Sequence, residues 1–307
     1  MKSHVLLAAA ALLAPSLPAL AASNPAQGRA IVTVVATGHA EAPPAIQPQD
    51  LNLSVDGKPS TVIAWQPARG PESPLELVLL IDGSARGSFG TQLGSVQSFL
   101  RALPPGARAA IAYMQNGRAA FTGPLSSDPE QVVKGLRLPS GIAGSSGSPY
   151  FCLSDLAKNW PSHDQAARRE VVLITDGIDN YNPRYDPNDT YVQAAIRDSV
   201  RAGLVVYSIY WTSAGHRDDG LEATGGQSLL AMTTDATGGY SYGLGLSNPV
   251  SFDPFFQDLR QRFDNQYTLG FSSATAKPDV RDMRLKVAAS AARVTAPSQV
   301  LVVSGGQ

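Results

Sequence analysis

The chain reads as an α/β protein with a doubly wound, mostly parallel sheet, flanked by N- and C-terminal β-strands that form a small β layer or β-domain. Three observations predict this. The apolar runs Leu75-Glu-Leu-Val-Leu-Leu-Ile-Asp82-Gly-Ser84 and Val171-Val-Leu-Ile-Thr-Asp176-Gly both end at Asp-Gly, as buried parallel strands do when they deliver a carboxylate to the sheet edge. Strand-like and helix-like segments alternate from Leu75 to Phe263. Short β-branched segments lie before and after that stretch.

At the N-terminal end, Ala30-Ile-Val-Thr-Val-Val-Ala36 has the alternation of a strand. Leu51 to Asp56-Gly57 followed by Thr61-Val-Ile-Ala-Trp65 reads as a hairpin turning at Asp-Gly. The Pro/Gly-rich stretch from Gln66 to Pro74 separates these from the first long strand, Leu75 to Ile81. A helix from Gln92 to Leu103 stops at Pro104-Pro105-Gly106, and strands follow at Ala109 to Met114 and near Ala119 to Phe121. Ser127-Asp-Pro-Glu130 opens a helix, with proline in its first turn and acids where the helix dipole favours them. After a Gly/Ser-rich loop from Ser140 to Ser148 come a helix (Leu153 to Trp160), a strand (Val171 to Thr175), a helix (Tyr191 to Ala202) and a strand (Leu204 to Tyr210). Ser228 to Thr237 fits a helix stopped by Gly238-Gly239, Tyr240 to Tyr242 a short edge strand, and Pro254 to Phe263 a last helix. The tail returns to strands at Gln266 to Phe271, Arg281 to Val287 and Val300 to Val303.

The domain organisation that follows is a signal peptide at 1–21, N-terminal strands at 22–70, an α/β domain at 75–265 and C-terminal strands at 266–307 packing with the N-terminal ones. The leader has Lys2 and His4, the apolar run Val5 to Leu13, and small residues for cleavage at Ala19-Leu20-Ala21. Pro15 and Pro18 break the run short of the ~20 residues a membrane span needs. The expectation is an exported chain, periplasmic or extracellular, with no transmembrane segment after cleavage. Formal net charge is −1 with no Lys/Arg block, which excludes nucleic acid and anionic membrane surfaces as electrostatic partners. The single cysteine, Cys152, allows no intrachain disulfide and reads as a small core residue.

If the two Asp-terminated strands are neighbours, Asp82, Ser84 and Asp176 converge on one spot with oxygen-only chemistry, suited to a hard cation such as Mg²⁺. Asp82 and Asp176 taken singly are also ordinary turn residues. Arg86 stands where such a site wants another hydroxyl, and a guanidinium has donors only.

On these residues the chain resembles the von Willebrand factor type A domain, and most closely the bacterial exported proteins with a type A related (acidobacterial-type) domain. The motifs that carry the resemblance are Asp50-Leu-Asn-Leu-Ser-Val-Asp-Gly-Lys-Pro, Leu79-Leu-Ile-Asp82-Gly-Ser84, Leu173-Ile-Thr-Asp176-Gly-Ile-Asp179-Asn180 and Tyr267-Thr-Leu-Gly-Phe271. The resemblance implies a Rossmann-like fold and a metal-ion-dependent adhesion site: Asp-x-Ser-x-Ser, a Thr from a middle loop and a later Asp hold a divalent cation that receives a carboxylate of a protein ligand. Asp82, Ser84 and Asp176 match that pattern, and Ser148, or Ser145 or Ser146, stands for the middle Thr. Arg86 replaces the second serine. It either folds inward between Asp82 and Asp176 in place of a metal, or turns to solvent while water or Ser88 completes the metal shell. The implied function is a non-enzymatic binding or adhesion protein whose top face engages a protein or cell-surface partner, with Mg²⁺ or another divalent cation or metal-free.

The competing class is a hydrolase with Ser84 or Ser88 as nucleophile. Gly83-Ser84-Ala85-Arg86-Gly87 places the serine one position early for Gly-x-Ser-x-Gly, and His39, His163 and His216 read as surface residues. The polar run Asp179 to Asp189 lacks EF-hand spacing and reads as a solvated loop. Tyr181, Tyr185, Tyr191, Tyr210 and Trp211 follow strand ends and read either as an aromatic surround for a partner or as loop packing.

Overall fold

The computed structural model describes residues 25–37, 42–215, 220–245, 247–274, 276–288 and 292–305. The leader, His39 and His216 lie outside them. Strand β1 (Ala26–Ala36) is followed by the hairpin β2 (Leu51–Val55) and β3 (Lys58–Pro67). The hairpin turns at Asp56 and Gly57, with φ of 48° and 73°, the paired left-handed residues that a two-residue turn with native strand twist requires.

The α/β unit contains β4 (Leu75–Asp82), α1 (Leu93–Arg101), β5 (Arg108–Gln115), β6 (Arg118–Phe121), α2 (Pro129–Lys134), α3 (Pro149–Lys158), β7 (Arg168–Thr175), α4 (Thr190–Arg201), β8 (Leu204–Tyr210), α5 (Leu221–Thr237), β9 (Ser241–Tyr242) and α6 (Asp253–Asp264). Its sheet runs β6-β5-β4-β7-β8-β9, parallel except for β6. The order is doubly wound and reverses between β4 and β7, so the crevice at their C-terminal ends is the switch point where such sheets bind ligands.

The strands read as continuous apolar runs because both faces are covered. On one face Leu77, Leu79, Ile81, Val172 and Ile174 pack against Phe99 of α1 and Phe256, Leu259 and Phe263 of α6. On the other, Val78, Leu80, Val171 and Leu173 pack against Cys152 and Leu156 of α3, Ile196 of α4 and Leu230 of α5. Cys152 is thus a core residue, and burial raises its thiol far above the usual range. Glu76, buried in β4, is satisfied by Arg108 and by the Trp160 indole N–H at 2.7 Å.

The flanking strands take the second of the two expected forms, a small β-domain rather than a layer. It adds β10 (Gln266–Ser273), β11 (Asp279–Val287), β12 (Ala292–Thr295) and β13 (Gln299–Val303) to β1, β2 and β3. The antiparallel order β10-β3-β2-β11-β13-β1 closes through β1–β10 pairing into a six-stranded barrel, with β12 attached to β1. Closure gives short strands a shared core, here Val32, Val55, Leu269, Phe271, Met283 and Val302, and pairs the end strands β1 and β10 with each other.

Helix α5 begins well before Ser228, the expected start. Gly225 and Gly226 lie within the helix, where α5 packs tightly on the loop after β7. A Cβ on Gly226 would stand 2.3 Å from the Asp176 carbonyl oxygen. Among the described residues no helix is long and apolar enough to cross a membrane.

Candidate functional site

Asp82 ends β4 and Thr175 ends β7, and the in-register pairing of Ile81 with Ile174 sets the two strand ends side by side. Asp82 Oδ1 accepts from the Ser84 backbone N–H at 2.8 Å. Its Oδ2 accepts the Thr175 hydroxyl at 2.7 Å and the Ser213 hydroxyl at 3.0 Å. Asp176, the first residue after β7, accepts Ile178 N–H at 3.1 Å on Oδ1 and Ser213 N–H at 3.0 Å on Oδ2. Ser213 therefore bridges the two carboxylates, one with its hydroxyl and the other with its backbone.

Ser213 follows the end of β8 and was not among the residues singled out from sequence. It is held over the site because the loops after β4 and β8 are stitched together: Ala85 and Ser213 form an antiparallel bridge, Ala214 N–H donates to Ser84 O at 2.7 Å and Arg86 N–H to Thr212 O at 3.2 Å. The third strand end in the crevice was the available signal.

The Gly/Ser-rich loop supplies the third wall. Ser140 Oγ donates to Gly83 O at 2.8 Å, and the Ser84 and Ser146 hydroxyls share a hydrogen bond of 2.8 Å. Ser146 thus faces Ser84. Ser148 caps α3 instead, its oxygen accepting from Tyr150 and Phe151 N–H at 3.3 and 3.5 Å, and Ser145 lies 3.2 Å from Ser140. Gly83 makes the approach of this wall to β5 feasible, since a Cβ there would meet the Met114 carbonyl at 2.3 Å.

The site is closed over. Asp82 and Asp176 are 2% and 1% exposed, and Ser84, Ser146 and Ser148 are equally buried. Burial, then the neighbouring Asp176 charge, push the Asp82 carboxyl above its ordinary value, and the donors Thr175, Ser84 and Ser213 offset part of that rise. Arg86 is not among the leading influences on Asp82; its Nε reaches the Ser213 carbonyl at 3.4 Å. Ser88 is exposed, in the turn that precedes α1.

The donor set is hard oxygen: two carboxylates with the hydroxyls of Ser84, Ser146, Thr175 and Ser213. In kind it fits a small divalent cation. Among the described residues there is no cluster of three or more His, Cys, Asp or Glu side chains that could hold a metal, so a cation here would rest on the two carboxylates and hydroxyls.

Around the crevice the polar loop differs from a simple solvated one. Asp179 is buried, accepts Tyr181 N–H at 2.9 Å and has its carboxyl raised chiefly by burial; Asp189 caps α4, accepting from Tyr191 and Val192 N–H at 2.8 and 3.1 Å. Tyr210 and Trp211 are core residues, with Trp211 edge-on to Phe89 and Phe252. Tyr181, Tyr185 and Tyr191 are exposed, at 67%, 53% and 54%, and Phe151 packs against Tyr181 and Tyr191. His163 is exposed in the loop that precedes β7, at the opposite end of the sheet from Ser84.

An Asp-x-Ser turn and a second aspartate at adjacent strand ends of this doubly wound sheet place oxygen donors at the switch point, where such sheets bind ligands. No family model matches the sequence, and no curated protein matches it. Similar solved structures include an aerotolerance-related membrane protein from Bacteroides fragilis, 14% identical with a TM-score of 0.45 over 62% of this chain and 98% of that one. A von Willebrand factor type A structure from Catenulispora acidiphila is 13% identical, TM-score 0.43, over 92% and 75% of the two chains. Proximal thread matrix protein 1 from the mussel byssus, with a zinc-occupied MIDAS motif, is 11% identical, TM-score 0.43, over 67% and 49%.

Proposed function

We propose that this is an exported, non-enzymatic binding protein that engages a protein or surface partner through the top face of its type A-like domain. The observation that carries the reading is the meeting of Asp82, Ser84, Ser146 and Asp176 at the switch point, an oxygen site with no histidine beside its serine among the described residues. The Ser84 hydroxyl is engaged with Ser146. The exposed Tyr181, Tyr185 and Tyr191 beside the crevice supply the rigid amphipathic surface that protein partners favour.

In this reading the site is a degenerate metal-ion-dependent adhesion site. Asp82, Ser84, Ser146 and Asp176 hold a divalent cation when Ser213 withdraws its hydroxyl from Asp82, and Ser213 with Thr175 satisfies the carboxylates when no cation is bound. Arg86, tied to the Ser213 carbonyl, biases the site toward the metal-free arrangement.

The test is a pull-down from the exported fraction with the chain from Ala22 onward, beside Asp176→Ala and Tyr181→Ala/Tyr191→Ala forms of matched folding. Partners retained by the native chain and lost from both variants support the reading. Retention by both would overturn the top-face assignment, and turnover of generic esters or peptides abolished by Ser84→Ala would replace it with the hydrolase.

A further inference from the structure

At the opposite edge of the α/β sheet the barrel wall has a gap. On the side away from β10, β1 pairs with β13 at Gln27 and Gly28, and pairing with β12 resumes only at Thr33. Between these points Arg29 to Val32 have no strand across from them. The gap exists because the link between β12 and β13 turns outward to α5: Ser298 N–H donates to Asp235 O at 3.0 Å, and Pro297 lies against Gly238.

A cavity of about 430 Å³ opens there, walled by β1, β13, the N-terminal ends of β7 and β8 and the end of α4. That volume is within the range of small-molecule sites. Among the described residues its charged lining is of one sign: Arg29, Arg168, Arg169 and Arg201, with no Asp or Glu. Arg169 spends its guanidinium on the carbonyls of Ala202, Ser162 and Asp164, and Arg201 pairs with Asp279. Arg29 is exposed and reaches only the Gln165 carbonyl, at 3.3 Å. Arg168 is 4% exposed and donates through Nη1 to Phe263 O and Gln266, while its buried Nε has no hydrogen-bond partner. Both acceptors lie outside the cavity wall and Nε has no exposed surface, so Arg168 adds positive charge beside the cavity rather than a donor to its lining. Burial pushes the carboxyl of the adjacent Glu170 up to about 8, which favours its neutral form at pH 7 and weakens its offset of this charge.

The rest of the lining is apolar, notably Ile31, Val200, Leu204 and Leu301. We propose that this cavity binds a small organic anion with an aliphatic body, its anionic oxygens on Arg29 and its chain against Ile31, Val200, Leu204 and Leu301. Charge and apolar lining select together: a cation is repelled, an uncharged chain gains nothing from Arg29, and a bare inorganic anion leaves the apolar wall unfilled.

Calorimetric titration of the chain from Ala22 onward with decanoate, decanol and inorganic phosphate tests this. Decanoate is expected to bind saturably at one site, with decanol and phosphate each at least tenfold weaker. Arg29→Gln, an exposed change that leaves the fold intact, is expected to weaken decanoate at least tenfold, and Asp176→Ala to leave it unchanged. The site is independent of the top-face reading. Absence of saturable decanoate binding, equal binding by Arg29→Gln, or decanol or phosphate matching decanoate would each overturn it.

Discussion

The Thr175 hydroxyl at the end of β7 donates to Asp82 at the end of β4 across 2.7 Å, so the carboxylate of one strand is satisfied by its neighbour. Thr175→Val keeps the shape and removes the donor from a buried carboxyl. The expected loss is about 1–3 kcal/mol, the scale for stranding a buried hydrogen-bonding group. Thr175→Ser should recover most of it. Urea unfolding of the three proteins measures both differences, and equal stability of Thr175→Val and the native chain would show that the bond carries no net stabilisation.

What the chain makes legible follows from how local each signal is. Asp82 and Asp176 stand out because an apolar run ending in Asp-Gly is a contiguous pattern, and the sheet order then brings them together. Ser213 carries no such pattern: its place depends on the pairing of two loops far apart in sequence. Ser145, Ser146 and Ser148 are alike in type, and only the path of the loop decides that Ser146 meets Ser84 while Ser148 caps α3. Barrel closure is invisible for the same reason, since a short alternating strand reads alike in a layer and in a barrel; β12, four residues long, is too short to announce itself.

Glu170 sits on β7 with neither carboxyl oxygen hydrogen-bonded. Burial pushes it up to about 8, with Arg168 and, outside hydrogen-bonding geometry, Gln266 and Tyr207 offsetting part of the rise. The unfolded chain ionises this group near its ordinary 4.5 while the folded chain keeps the proton, so stability falls as pH rises from about 4.5 to about 8 and then levels. Asp82, also raised, adds slope of the same sign above its own ordinary value. Glu170→Gln should flatten the profile and be more stable than the native chain at pH 8. Denaturant midpoints across pH 5 to 8 check this, and parallel profiles for the two proteins would count against it.

Gly226 lets α5 lie on the loop after Asp176. An added Cβ would meet the Asp176 carbonyl oxygen at 2.3 Å, backbone against backbone, so α5 or the loop must shift. Gly226→Ala removes a helix glycine, which in open space stabilises by ~1 kcal/mol. Here the sign should reverse, with a net loss of about 1–3 kcal/mol typical of overpacking. Thermal unfolding measures it, with Gly94→Ala, at an open helical position on α1, as the control that should not lose stability.

On the proposed reading, Ser213 and Arg86 set how the site treats a cation. The Ser213 hydroxyl takes an Asp82 lone pair that a metal needs, and Arg86 holds the Ser213 carbonyl. Ser213→Ala frees that lone pair while its backbone N–H stays on Asp176. Arg86→Ser removes the tether and puts a hydroxyl, which can accept as well as donate, in place of a donor-only group two residues from Ser84. Both variants should bind Mg²⁺ or Mn²⁺ more tightly than the native chain, Arg86→Ser by the larger factor, and both should gain melting temperature as metal is added. Asp82→Ala combined with either should abolish the response. Metal titration by calorimetry distinguishes the outcomes: tighter binding in both variants means the native site is held shut by its own hydroxyl, whereas flat titrations in all three proteins mean that the two carboxylates are a purely structural pair.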